Sequence, residues 1–295
     1  MVTFHPITLE DQRWMRELLE KQSRFSCEYC FGNHFIWRNT YQEQAARIGD
    51  YATVMLESEG VKRFLYPAGE GDLRPVVEEL LRYAEEQRIP FRMFSASKED
   101  VEELEMLFPG KFRFSCDRDF MDYIYRVEDL IQLPGRKYHG KRNHIARFRD
   151  SDWAFEELSD SNFQDCLEMN RRWCEQNGNC QQDDIRAERC AVAQSFRYFH
   201  ELGFFGGLLR QDGRVVAYTI GEQLNEETVV VHIEKAFGEI QGAYPAINQE
   251  FLKNLCSGYT YVNREEDLGI PGLRRAKLSY HPVFLHEKYE VMLND

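Results

Sequence analysis

No stretch of this 295-residue chain approaches the roughly 20 consecutive apolar residues that a membrane-crossing helix needs. A bilayer span is therefore not expected. The start, Met1-Val2-Thr3-Phe4-His5-Pro6, lacks both the basic opening and the apolar stretch of a secretory signal, and a cytoplasmic location is the expectation. Cysteine is sparse: eight residues, an ordinary number for a reducing compartment. Cys27-Glu28-Tyr29-Cys30 forms a C-x-x-C, but Cys116, Cys166, Cys174, Cys180, Cys190 and Cys256 supply no second pair for a zinc ribbon. The pair reads either as a metal or redox site or as two thiols in a loop, and no metal is assigned. Positive charge is also scarce, with 37 Lys and Arg against 50 Asp and Glu, a net charge of −13. Such a surface repels a polyanion. One island departs from it: residues 136–150 hold six Lys and Arg and a single acid.

Hydrophobic residues make up 43% and aromatics 14%. That is globular, and the length allows two domains. The spacing predicts helices over Leu9–Lys21, Leu73–Gln87 (capped by Asp72) and Lys98–Leu107 (capped by Ser97). Strands are expected at Asp50–Glu57, Val61–Tyr66, Pro90–Ala96, Phe112–Ser115 and Phe120–Tyr125. The second half repeats the order. Helices over Asn162–Asn177 and Arg186–Leu202 precede a hairpin, Phe204–Arg210 and Arg214–Leu224, turning at Gln211-Asp212-Gly213. A strand Thr228–Lys235, a helix Tyr244–Cys256, a strand Tyr259–Val262 and a helix Leu273–Tyr280 follow, with a last strand at Tyr289–Leu293. This is the element order of the acyl-CoA N-acyltransferase (GNAT) fold, met twice. The expected class is α+β: tandem GNAT-like domains, each a mixed sheet flanked by helices. The expected domains are residues 1–135 and 136–295, hinged at Pro134-Gly135, with the active site in the second.

Chemistry concentrates in that second half. At the strand end, Tyr261, Asn263, Arg264, Glu265 and Asp267 enter one crevice, and Arg274, Lys277 and Tyr280 follow on one helix face. Acids there suit a cationic group such as an aminoacyl amine, and Arg and Lys suit phosphate or carboxylate. A salt-bridged helix cap is the alternative. His232 and Glu234 alternate along one strand and could share a proton, with Glu222 ending the neighbouring strand; a paired core histidine is the alternative. Gly242, Ala243 and Tyr244, before a helix carrying Pro245 and Asn248, form a turn whose N–H groups could hold an anion, although the pyrophosphate pattern of GNAT enzymes is absent. In the basic island, Lys141, Arg142 and Arg147 stand among aromatics as candidates for a polyanion, or as a solvated linker helix.

Four stretches carry a family resemblance: Tyr138-His139-Gly140-Lys141-Arg142-Asn143-His144, His232-Ile233-Glu234-Lys235-Ala236, Gly242–Asn248 and Val262–Gly269, with Phe31–Arg38 as an N-terminal block. Together they resemble the soluble branch of the phosphatidylglycerol lysyltransferase C-terminal-domain family, over nearly the whole chain. The resemblance implies a tandem GNAT fold related to the FemABX aminoacyl transferases, but not the substrate. An acyl or aminoacyl group would pass from a CoA thioester or aminoacyl-tRNA to an amine or hydroxyl. No cofactor is expected to be tightly bound, and no protein partner is indicated. A base near His232 and Glu234 takes the proton, N–H groups at 242–244 hold the donor, and Tyr280 stands where GNAT enzymes often carry a general acid. The alternative is a non-catalytic GNAT-like module that binds a small charged metabolite or a protein.

Overall fold

The computed structural model describes residues 2–22, 25–177 and 183–294; Cys180 lies outside the described residues. The chain forms two compact units. The first runs to Tyr123 and takes in Glu266–Arg274 and the residues from Leu285 onward; the second comprises Ile124–Glu265 and Arg275–Phe284. The chain's contacts therefore do not divide after residue 135, because strands from each half of the sequence pair in the other half's sheet.

In the first unit come β1 (His5–Pro6), α1 (Gln12–Gln22), α2 (Phe31–Trp37), β2 (Gln44–Ile48), β3 (Tyr51–Ser58), β4 (Val61–Leu65), β5 (Ala68–Gly69), α3 (Arg74–Gln87), β6 (Arg92–Ala96), α4 (Lys98–Leu107) and β7 (Phe112–Cys116). The C-terminal strand, β15 (Tyr289–Leu293), joins them. Its sheet runs β1-β2-β3-β4-β6-β15-β7, with β5 on β3. β4 and β6 are parallel, and β15 is antiparallel to both its neighbours. α4 starts as its sequence dictates: Ser97 accepts the Asp100 N–H and Asp100 accepts the Ser97 N–H, a reciprocal cap. Phe64, Val77, Leu80, Met93, Leu104 and Val291 form the centre of its core.

The second unit holds α5 (Val127–Gln132), α6 (His139–Arg149), β9 (Trp153–Glu157), α7 (Phe163–Asn177), α8 (Asp183–Arg197), β10 (Phe205–Gln211), β11 (Arg214–Gln223), β12 (Thr228–Ala236), α9 (Ala243–Leu255) and β13 (Tyr261–Asn263), together with the later residues of β8 (Asp122–Arg126) and α10 (Pro271–Leu278) and the first residue of β14 (Phe284–His286). Its sheet runs β14-β8-β13-β12-β11-β10-β9. α9 packs on β10, β11 and β12, and α5 and α6 pack on α9. The one-residue alternation of β11 and β12 is interrupted once. Val231 pairs with Gly221 and Ile233 with Ile220, leaving His232 as an extra residue in a bulge, a device that bends a strand and re-aims a side chain. Glycine is required opposite it, since a Cβ on Gly221 would lie 2.4 Å from the Val230 carbonyl oxygen.

Both sheets share one pattern. A hairpin (β3-β4 or β11-β12) leads through a helix to a parallel strand (β6 or β13). The next strand in each sheet then comes from the far end of the sequence: β15 in the first, β8 in the second.

Candidate active site

β12 and β13 are parallel, and they pair only from Thr228–Tyr261 to Val230–Asn263. β13 then stops, while β12 runs on to Ala236. The chain beyond β13 is held by its own side chains. Asn263, fully buried, accepts the Glu265 N–H at 2.6 Å. Lys277 on α10 donates to the carbonyls of Arg264 and Glu265 at 2.5 and 3.1 Å. Glu265 is thereby fixed at φ +54°, a conformation L residues rarely adopt.

Two ion-paired sets stand at this opening. His232 is buried beside the Phe204 ring. Its Nδ1 lies 2.8 Å from Glu265 and its Nε2 3.0 Å from Glu222. Burial opposes its charge, but the hydrogen bonds and charges of Glu222 and Glu265 outweigh burial and hold its pKa up to about 10. At neutral pH it is an imidazolium that donates from both nitrogens, not a free base. No hydrogen bond joins it to Glu234, which belongs to the second set. Glu234 accepts from Arg264 Nη2 at 2.6 Å and from Asn248 of α9 at 3.2 Å. The Arg264 guanidinium lies 4.6 Å from the Tyr280 ring centroid and 5.7 Å from that of Tyr125. Lys141 of α6 sits on the Tyr280 ring at 3.7 Å. Burial raises the Tyr280 pKa, with Arg264 pulling the other way, so the phenol keeps its proton. Burial, and then the Arg264 charge, bring the Lys141 pKa down to about 8, with Glu234 opposing.

The remaining expected residues do other work. A Cβ on Gly242 (φ +89°) would lie 2.1 Å from the His144 carbonyl oxygen of α6, so α6 closes over the start of α9. The Ala243 N–H is already given to the Ile240 carbonyl, and Tyr244 turns its phenol toward Trp173 and the end of β12. Of the three N–H groups expected to hold an anion, that of Ala243 is thus already used. Arg142 clamps the carbonyls of Leu133 and Gly135, and Arg147 is exposed. Asp267 and Arg274 fall in the first unit. There Asp267, fully buried, binds Arg274 through both carboxylate oxygens at 2.7 and 2.9 Å, Arg118 at 3.1 Å, the Tyr123 hydroxyl and the Gly269 N–H. Burial works against its charge, but these partners hold its pKa well below the usual carboxylate range.

Sequence reasoning missed a further cluster in the first unit. Lys288, 5% exposed, lies 2.7 Å from Glu28, 2.9 Å from Asp122 and 3.4 Å from Glu266, with the Cys27 sulfur at 3.9 Å. No motif marks these separated positions. Cys27, Glu28 and Asp122 are near enough to share an ion, but the Lys288 ammonium already stands among them. Burial and then the charge of Asp122 push the Cys27 thiol up, so it stays protonated.

Among curated proteins, nothing matches the chain. A conserved protein of unknown function from Bacteroides thetaiotaomicron VPI-5482 is 39% identical over 100% of both chains, with a TM-score of 0.95. L-PGS from Bacillus licheniformis is similar in fold at 16% identity, a TM-score of 0.69, 97% of this chain and 92% of that one. FemX is similar at 10% identity, a TM-score of 0.66, and 98% and 96% coverage. The fold is α+β and GNAT-like, with mixed sheets flanked by helices. Among the described residues no helix is long and apolar enough to cross a membrane. The family model described as "Phosphatidylglycerol lysyltransferase, C-terminal" matches residues 19–292, and the chain belongs to that family.

Proposed function

We propose that the second unit is an aminoacyltransferase centre working where β12 and β13 part, with an aminoacyl ester as donor in preference to a CoA thioester. The observation that carries this reading is the short parallel pairing of the two strands, with Glu234, Asn248, Arg264 and Tyr280 gathered where it ends, in a family named for lysyl transfer. Two features support the choice of donor: the Ala243 N–H is spent on the Ile240 carbonyl, and the six-residue pyrophosphate pattern of GNAT enzymes is absent from the sequence. An amine or hydroxyl of the acceptor attacks the ester carbonyl. Its proton passes to Glu234, and the Tyr280 phenol protonates the departing ribose oxygen. His232 is a positioning residue: its imidazolium ties Glu265 to Glu222 and so fixes the backbone that carries Arg264.

The test supplies tRNA charged with one radiolabelled amino acid at a time, together with amine and hydroxyl acceptors. Label should leave tRNA for a second product, and Glu234→Gln should slow this by about 10²–10⁴-fold. Transfer from acyl-CoA alone would overturn the choice of donor. Saturable donor binding with no transfer from either class would favour the non-catalytic module instead.

A further inference from the structure

The first unit holds a cavity of about 250 Å³. It lies between Pro6 and Ile7 at the end of β1, Arg38 and Asn39 after α2, and residues 42–44 at the entry to β2. Drug-sized ligands take about 300–1,000 Å³, so this is room for one small solute. Its wall carries a buried charge. The Glu43 side chain is only 4% exposed, and its Oε2 lies 2.7 Å from Nδ1 of the equally buried His34. Oε1 takes no hydrogen bond from the described residues, yet solvent reaches it. So little of Glu43 is open that this access runs through the cavity it lines. A carboxylate oxygen held in a buried side chain without a donor is costly. Arg38 brings the opposite charge to the same wall. Its guanidinium is fixed 3.6 Å from the Phe35 ring centroid and donates to the Phe35 carbonyl. The amides of Asn39, Gln42 and Gln44 line the cavity too, and these three side chains make no hydrogen bond among the described residues.

We propose that this cavity binds a small free α-amino acid as its zwitterion, with the ammonium on Glu43 Oε1, the carboxylate toward Arg38 among the Asn39 and Gln42 amides, and a short side chain against Pro6 and Ile7. The two wall charges select for this class. A lone cation would satisfy Glu43 but meet the Arg38 charge, and a lone carboxylate would meet Arg38 but face Glu43. A molecule that carries both charges answers both, through charge-assisted hydrogen bonds at each end. Side-chain amides serve either end, since each offers two donors and an acceptor. Gln42 stands at φ +50°, a conformation in which glycine carries no strain, and the position keeps a long amide all the same. An aminoacyl ester has no free carboxylate, so the donor proposed for the second unit is a different ligand. The inference stands on the first unit alone, and a failed transfer assay leaves it intact.

The experiment is calorimetric titration of the full chain with glycine, L-alanine, L-serine and L-threonine. At least one should bind saturably. Its N-acetyl derivative lacks the ammonium and its methyl ester lacks the carboxylate. Each should bind at least about tenfold more weakly, the loss of one charged hydrogen bond. Glu43→Gln keeps the size of the side chain and removes its charge, and it should weaken binding by at least the same factor. Because that change also touches buried His34, a second variant leaves the core alone. Asn39→Ala with Gln42→Gly alters two exposed side chains, puts glycine at the positive φ, and should fold as wild type does while losing at least about tenfold in affinity. Glu234→Gln, in the second unit, should leave the affinity unchanged and so locates the site. The proposal is overturned if none of the four amino acids binds, or if the acetylated or esterified form binds equally well. Full affinity in a folded Glu43→Gln or in the double variant, or its loss in Glu234→Gln, would overturn it as well.

Discussion

Each unit sets a lysine beside other charged side chains, Lys288 buried and Lys141 half-buried, and the two sites differ in how completely they are satisfied. In the first unit Lys288 has three carboxylates around it. Those carboxylates have further donors: Glu28 takes Ser26 and Ser95, and Asp122 takes the Cys27 N–H at 2.9 Å. In the second unit Lys141 has an aromatic ring and a repelling neighbour, Arg264, whose outer nitrogen is idle. A saturated buried cluster fixes local structure. An unsaturated one holds donors ready for a ligand. Asp267 with Arg118, Arg274 and Tyr123 belongs to the saturated kind.

The largest effect should come from breaking the saturated cluster. Lys288→Met leaves Glu28, Asp122 and Glu266 facing one another with no cation. Removing one member of a buried ion set costs about 3–5 kcal/mol, and denaturant unfolding at pH 7 should show a loss of that size. Glu28, held down to about 2 against burial chiefly by the Lys288 charge, would lose that support. Its pKa should rise, and the deficit should shrink as pH falls toward 5. A loss below about 1 kcal/mol, the scale of an exposed pair, would mean that the cluster does not hold the first unit together and that the contrast with Lys141 fails.

His232 gives a smaller, pH-dependent effect. Its folded pKa, about 10, lies above the ordinary value near 6.5. Its contribution is therefore fully present below pH 6.5 and is lost as pH rises through 10. Each tenfold gain in proton affinity is worth about 1.4 kcal/mol, and with Glu265 partly exposed to water an effect on the order of 3 kcal/mol is expected. His232→Gln should cost that much at pH 6, and wild type and variant should converge near pH 10.5. Parallel stability curves across this range would show that the imidazole is neutral in the folded protein, which would return it to candidacy as a base.

Local signals in the sequence specified much of the second unit. The Asp212-Gly213 turn has φ of +50° and +76°, as its residues demand, and the strand–helix–strand passage from Thr228 to Asn263 follows its periodicity. Arg264 and Asn248 meet at Glu234, Arg264 also lies on the Tyr280 ring, and Asn263 and Lys277 hold the backbone at Arg264 and Glu265. Long-range pairing was not legible. Val291 lies opposite Met93 and Val262 opposite Tyr125, and no local propensity encodes a register between such distant segments. The bulge at His232 undid the expected pairing with Glu234, and His232 found Glu222 and Glu265 instead. Asp267 and Arg274 share a segment with Arg264 but fall in the other unit. The basic island also read as one feature, although its cations diverge: Arg142 caps carbonyls, Arg149 pairs with Glu250 and Lys141 turns onto Tyr280.

That divergence sets up the smallest expected effect, which is also the control for Lys141. Arg147 lies on the same helix, exposed, and its side chain makes no ion pair or hydrogen bond among the described residues. Near the C-terminal end of α6 its charge meets the negative end of the helix dipole, worth roughly 0.3–1 kcal/mol at an exposed position. Arg147→Gln should cost no more than that in denaturant unfolding and should leave transfer from charged tRNA unchanged, whereas Lys141→Met, which strips the ammonium from the Tyr280 ring, should slow it. Both variants remove one positive charge from α6, so an effect of general field would be common to the two, and raising salt would erase it. If Arg147→Gln slows transfer as much as Lys141→Met, the donor is drawn by the helix as a whole, and the contrast between Lys141 and its helix neighbours loses its meaning. If only Lys141→Met does so, transfer depends on where the ammonium sits, against Tyr280 and beside a guanidinium with a nitrogen to spare.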